Sequence, residues 1–142
     1  MVCAMSSSEM PFSAAFSLST INWYFGWCLI LTGFGTGALL GLFFHRPDFL
    51  GGYGSFSRRI IRLGHISQVA LGMLNVLYGL SPLPEATHWA ALPASVCFIV
   101  GGISMPVVCF LSGWRERFRL LFFIPVTSLI LAVLLALRGG PS

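Results

Sequence analysis

The sequence predicts an all-α integral membrane protein whose four transmembrane helices form an antiparallel bundle. Hydrophobic residues make up 56% of its 142 residues and charged residues only 8%, whereas a soluble domain carries about 25% charged residues. The apolar residues also fall into four stretches of about 20 residues, the length that a helix needs to cross a bilayer. These observations exclude soluble enzymes and nucleic-acid-binding domains, and they leave no room for a second folded domain.

Residues 1–20 are predicted to form a mobile polar tail, followed by a single transmembrane domain at residues 21–142. The first span opens with an aromatic cluster, Trp23, Tyr24 and Trp27, which is typical of a helix entering the headgroup region. The last connection is so short that the third and fourth spans must be antiparallel neighbours. The four spans are predicted at residues 21–44, 59–80, 89–111 and 118–137.

Arginine placement predicts the orientation of the chain. Seven of the eight arginines lie in or beside the connections after the first and third spans, and only Arg138 lies on the opposite side. The positive-inside rule then places the arginine-rich loops in the cytoplasm and both termini outside, with a bacterial inner membrane as the expected location. These side chains are predicted to anchor the protein to lipid phosphates: Arg46, Arg58, Arg59, Arg62, Arg115, Arg117 and Arg119.

Glycines in the first two spans predict close helix packing. Gly33, Gly37 and Gly41 recur every four residues in the first span, and Gly72 lies in the second. Small residues at this spacing let a second helix backbone approach closely within the lipid. The partner is either another helix of the same bundle or a separate membrane subunit, and the spacing does not distinguish the two.

The second span carries a polar stripe along one helical face. Residues spaced by three or four positions share a face of a helix, and a polar face must look into the bundle or towards a partner. The central region of the protein is therefore predicted to lie along this stripe, which consists of Arg58, Arg62, His65, Gln68, Gly72, Asn75 and Gly79.

His65 is the ionisable side chain that the sequence places within the hydrocarbon, which makes it a candidate for function. Imidazole can ligate haem b iron, can ligate the magnesium of a chlorophyll, or can hydrogen-bond a quinone. The candidate cofactor-binding residues are His65, Gln68, Asn75 and Met105; a second haem ligand would come from His45, Met73 or Met105. The alternative is a neutral histidine hydrogen-bonded within the bundle.

The motifs that usually carry catalysis are missing from this chain. No acidic residue lies in a predicted span, so a proton-coupled transporter would lack its carboxylate, and no hydrolase or nucleotide-binding motif occurs. We therefore expect a protein without catalytic activity or a bound metal ion. The first hypothesis is a small subunit that packs against and stabilises a larger membrane complex, such as a respiratory or photosynthetic electron-transfer assembly. The alternative is a cofactor-binding protein that uses His65.

Overall fold

A computed structural model describes residues 12–81 and 88–138, with side chains over residues 18–81 and 90–138. Over these residues the chain is all-helical and contains no strand, which confirms the predicted class. Four segments are long and apolar enough to cross a membrane: Leu18–Phe44, Phe56–Leu80, Ala90–Trp114 and Glu116–Arg138. The α-helices are α1 (Phe12–Phe44), α2 (Phe56–Leu80), α3 (His88–Trp114) and α4 (Phe123–Arg138).

Helix α1 begins at Phe12, well before the span predicted from residue 21. Residues 12–20 are therefore helical where the sequence predicted a tail, whereas residues 1–11 lie outside the described part of the chain. Neither glycine nor proline occurs between Phe12 and Thr20, and Ala14 and Ala15 favour the helix. A stretch of apolar residues predicts the part of a helix that can span the membrane, but the helix itself can extend beyond that stretch.

The connection between α1 and α2 turns through backbone conformations that suit glycine. Gly51 and Gly52 have φ angles of 82° and 88°, in the left-handed region that side chains disfavour. Ser55 then ends the connection as the N-cap of α2, and its hydroxyl oxygen accepts a hydrogen bond from the Arg58 amide at 3.2 Å. The loop thus returns the chain sharply to α1 and places the first turn of α2 beside it.

The fourth span starts as a 3-10 helix at Glu116–Phe122 and becomes α-helical at Phe123. Pro125 lies in the first turn of α4, where backbone amides have no partner within the helix and a missing N–H costs little. In α3, by contrast, Pro93 and Pro106 both lie inside one continuous helix.

Helix α3 lies at the centre of the fold, because it packs against α1, α2 and α4. One apolar cluster joins α2, α3 and α4 and consists of Tyr78, Ala94, Phe98 and Ala132. The Tyr78 hydroxyl also donates a hydrogen bond to the carbonyl of Ala91 at 2.9 Å. Within this cluster, buried small residues let the three helices approach closely.

Helices α1 and α2 meet through backbone contacts at glycines. A Cβ atom added to Gly26 would lie 2.6 Å from the carbonyl oxygen of Gly72, and one added to Gly79 would lie 2.6 Å from that of Ser19. A Cβ at Gly33 would lie 2.7 Å from Val69. Among the described residues, Gly33, Gly37 and Gly72 therefore pack within the chain itself.

Gly41 differs from the other predicted packing glycines, because no atom lies within 4 Å of the position of its Cβ. Gly26 and Gly79 also pack closely, although neither was predicted as a packing glycine and Gly79 was named only as part of the polar stripe. Their signal was a seven-residue spacing, Gly26 to Gly33 and Gly72 to Gly79, rather than the four-residue spacing that was sought.

Three polar side chains join α1, α2 and α3 in the interior. The Asn22 amide donates to the Asn75 carbonyl oxygen at 2.9 Å, and the Ser95 hydroxyl donates to the Asn22 carbonyl oxygen. The Asn75 amide also donates to the carbonyl of Phe98 at 3.3 Å. Both asparagines are fully buried, so this network satisfies polar groups that lipid could not.

Candidate ligand groove at the arginine-rich end

An open groove of about 510 Å³ lies between α1 and α2, at the end where α1 finishes and α2 begins. Its residues come from the last turns of α1, from the connecting loop and from the first turns of α2. We call it the α1–α2 groove; it is lined by Gly37, Leu40, Gly41, Phe44, Tyr53, Arg58, Arg62, His65 and Ile66. The groove therefore combines an apolar wall with two cationic side chains and one imidazole.

The imidazole of His65 is fixed by a backbone carbonyl of α1. Its Nδ1 lies 2.9 Å from the oxygen of Gly33, and because a carbonyl oxygen can only accept, we assign the proton of the neutral ring to Nδ1. Nε2 then carries a free lone pair and has no hydrogen-bond partner among the described residues. This nitrogen is the one available to a ligand in the groove.

Gly37 provides the space that the imidazole occupies. A Cβ atom added at Gly37 would meet three atoms of the His65 ring before any other atom, among them Nε2 at 3.0 Å and Nδ1 at 3.1 Å. Any side chain at this position would therefore displace the ring. The absence of a side chain at Gly37 thus permits both the close approach of α1 to α2 and the observed orientation of the His65 ring.

Arg58 is buried, with only 2% of its surface exposed. Its Nη2 donates to the carbonyl of Phe44 at 2.6 Å, and its Cζ lies 3.8 Å from the ring centre of Tyr53 and 4.5 Å from that of Phe44. Its Nη1 is buried and has no hydrogen-bond partner. The sequence predicted a lipid anchor, but this guanidinium lies inside the protein, because the loop folds Tyr53 over it.

The other predicted cofactor residues lie outside the α1–α2 groove. Gln68 is buried, and its side-chain carbonyl accepts a hydrogen bond from Thr36 at 2.7 Å. Asn75 belongs to the interior network with Asn22. Met105 is half-buried on α3, away from the groove. Of the four candidates, His65 alone reaches the groove, whereas Gln68 and Asn75 hold α2 against its neighbours.

The groove lining holds no second imidazole or sulfur ligand for a metal, and the Tyr53 hydroxyl donates to the carbonyl of Phe44 at 3.5 Å. The lining contains one imidazole and no thioether or thiol. His45 and Met73, both named as candidates from the sequence, are exposed and lie outside the lining. Within the described residues, no group of three or more histidine, cysteine or acidic side chains comes together. The groove can therefore offer a metal one nitrogen ligand.

The remaining predicted anchoring arginines are exposed. Arg62 lines the groove one helical turn after Arg58, whereas Arg117 and Arg119 line a second depression of about 410 Å³ together with Glu116 and Leu120. The exposed set is Arg46, Arg59, Arg62, Arg115, Arg117 and Arg119. Burial thus distinguishes Arg58 from every other member of the predicted anchoring set.

The comparisons with known proteins return no relative. No family model matches the chain, and neither a curated protein nor a solved structure matches it. The function therefore has to be argued from the groove itself.

Proposed function

We propose that this chain is a non-catalytic membrane protein that binds a metal tetrapyrrole in the α1–α2 groove, with Nε2 of His65 as the axial ligand. The observation that carries the proposal is the bond from Nδ1 to the Gly33 oxygen. Histidines that bind metals usually donate their other ring N–H to a carbonyl or carboxylate, which fixes the tautomer and directs the free nitrogen at the metal. His65 has this arrangement in a groove.

The same tautomer favours a tetrapyrrole over a quinone. An oxidised quinone presents carbonyl oxygens, which need hydrogen-bond donors. Nε2 of His65 is an acceptor when Nδ1 carries the proton, so it cannot donate to that carbonyl. A haem iron or a chlorophyll magnesium needs the lone pair that Nε2 offers.

The shape of the groove suits a planar apolar body. Leu40, Phe44 and Ile66 form apolar walls, and Gly41 leaves its part of the floor without a side chain. Binding sites for such cofactors are mostly apolar, with a few polar groups that fix orientation. Because the lining contains one imidazole and no thioether or thiol, we expect a haem to be five-coordinate and high-spin in the isolated chain.

The test is haem titration of the purified protein in mild detergent, followed by absorption spectroscopy. Wild-type protein is expected to give a saturable Soret shift, and His65→Gly to lose it and to regain it on addition of imidazole. His45→Ala, at an exposed histidine outside the groove, is the matched control and is expected to behave like wild type. An unchanged Soret shift in His65→Gly without imidazole would refute the role of His65.

We also propose that the helices run antiparallel, with both termini outside and the arginine-rich loops in the cytoplasm. Contacts between α1 and α2 support the antiparallel order, because Ser19 meets Gly79, Gly26 meets Gly72, and Gly37 meets His65. Arginine placement supports the orientation in a bacterial inner membrane. The orientation can be tested with Asp48→Cys and Glu116→Cys, each introduced singly. In sealed vesicles of known orientation, a membrane-impermeant thiol reagent reports on which side of the membrane each cysteine lies.

A second function, as a subunit of a larger electron-transfer complex, is favoured by the open face of α1. Thr32, Gly35 and Ala38 are exposed small residues spaced by three positions, and nothing lies within 4 Å of the Gly35 Cβ position. Such a surface suits close approach by a helix of another subunit. Gly35→Ile is expected to release the chain from its native complex on a native gel, whereas Leu39→Ile, at another exposed position of α1, is expected to leave the complex intact.

A further inference from the structure

We infer that Arg58 is the carboxylate receptor of the α1–α2 groove, so that the tetrapyrrole bound there keeps free carboxylate side chains, as haem does. An esterified tetrapyrrole of the chlorophyll type would leave this guanidinium without a counter-charge. The inference rests on the proposed function and identifies the chemical class of its ligand.

The first observation is a buried positive charge without a counter-charge. Arg58 is 2% exposed, the groove lining contains no aspartate or glutamate, and Arg58 makes no ion pair in the described part of the chain. Buried charges are normally paired, because removing an ion from water is costly. A ligand that brings a carboxylate would supply the missing counter-charge.

The second observation is an unused donor on a fixed guanidinium. The carbonyl of Phe44 holds Nη2, and contacts with the Tyr53 and Phe44 rings restrain the group. Nη1 remains without a partner, although the N–H groups of arginine form a planar fork that matches a carboxylate. Arg58 thus lines the groove with a restrained guanidinium, one donor of which finds no acceptor among the described residues.

The third observation is the spacing along α2. Arg62 precedes His65 by three residues and Arg58 precedes it by seven, which places them about 4.5 Å and about 10 Å along the helix axis from His65. In haem both carboxylate side chains leave the same edge of the macrocycle. With the iron at His65, that edge would face the end of the groove where the two arginines lie.

The experiment compares haem with its dimethyl ester, in which both carboxylates are blocked while the iron is unchanged. Wild-type protein is expected to bind haem about 10- to 100-fold more tightly than the ester, the factor expected from a hydrogen bond to a charged group. Equal affinity for the two compounds would overturn the inference, and this comparison needs no variant that must fold.

Arg58→Gln and its neighbour Arg59→Gln form a matched pair, because each removes one positive charge and Arg59 is exposed. Arg58→Gln is expected to abolish the preference for haem over the ester, and Arg59→Gln to retain it. Arg58→Lys keeps the charge without the planar fork and is expected to recover only part of the preference. Should Arg58→Gln fail to fold, as judged by size exclusion and circular dichroism, Arg58→Lys and the ester comparison still decide the question.

Metal-free protoporphyrin separates this inference from the proposed function, since it carries both carboxylates but needs no axial ligand. If haem gives a Soret shift that depends on His65 but the ester binds equally well, the proposed function stands and the carboxylate receptor fails. If metal-free protoporphyrin binds only when Arg58 is present, and haem shows no dependence on His65, the receptor stands and axial ligation fails. Fluorescence measures binding of the metal-free porphyrin, and the Soret shift measures binding of haem.

Discussion

Replacing Gly26 with alanine is expected to destabilise the contact between α1 and α2. The added Cβ would lie 2.6 Å from the Gly72 carbonyl oxygen and 2.8 Å from the Val76 amide nitrogen. Both are backbone atoms, so no side-chain rotation can relieve the contact. Ordinary contacts of a Cβ begin at 3.4 Å, so the helices would have to separate locally by about 0.8 Å.

The expected magnitude follows from two opposing effects. Overpacking a well-packed interface costs about 1–3 kcal/mol, whereas alanine favours the helix over glycine by about 1 kcal/mol. The difference between the two effects leaves a net loss of up to about 2 kcal/mol for Gly26→Ala. Gly35→Ala is the matched control on the same helix, because nothing lies within 4 Å of its Cβ position; it is expected to be neutral or slightly stabilising.

The assay is reversible unfolding in mixed micelles with increasing SDS, followed by circular dichroism. The free energy of unfolding of Gly26→Ala should lie below wild type and below Gly35→Ala. If Gly26→Ala were as stable as the control, the two helices could not be in backbone contact at this position. The proposed antiparallel pairing of α1 with α2 would then lose its main support.

Three further changes test other parts of the structure. Asn75→Ala removes the interhelical hydrogen bonds to Asn22 and to the carbonyl of Phe98. It should lower the free energy of unfolding by about 1–3 kcal/mol in the same assay. An unchanged free energy of unfolding would show that the network adds no stability. Gly37→Ala displaces the His65 ring and should weaken haem binding by about 10-fold or more, whereas Gly35→Ala, outside the groove and without a neighbour within 4 Å, should retain the Soret shift; equal titrations would contradict the role of Gly37. Ser55→Ala removes the N-cap of α2 and should lower the thermal midpoint through a loss of about 1 kcal/mol, while Ser55→Thr, which keeps the hydroxyl, should restore it; an unchanged midpoint in Ser55→Ala would show that the cap is dispensable.

The sequence was sufficient to predict the helices because hydrophobic length is a strong local signal. The predicted spans at residues 59–80 and 89–111 lie inside α2 and α3. Helix ends were harder to predict, since they depend on capping and backbone geometry rather than on apolarity. Thus Ser55 sets the start of α2, and the 3-10 segment Glu116–Phe122 delays the start of α4.

The groove was only partly predictable. The helical face that holds Arg58, Arg62 and His65 could be read from spacing alone, because these residues share one side of α2. The burial of Arg58 could not be predicted from the spacing. It depends on a loop that turns through Gly51 and Gly52 and brings Tyr53 onto the guanidinium. Contacts between residues of a loop and a helix leave no periodic signal in the sequence.

The polar stripe of α2 divides into two parts with different physical roles. Towards the end of α2, Asn75 is fully paired and Gly72 and Gly79 touch the backbone of α1, so this part has no polar group left for a ligand. Towards its start, His65 keeps a free Nε2 and Arg58 an unpaired Nη1 beside an open groove. A membrane interior offers no water to such groups. This is the only part of the described stripe whose polar groups the helices leave without partners. A ligand that brings an acceptor for Arg58 and a metal for His65 would supply both.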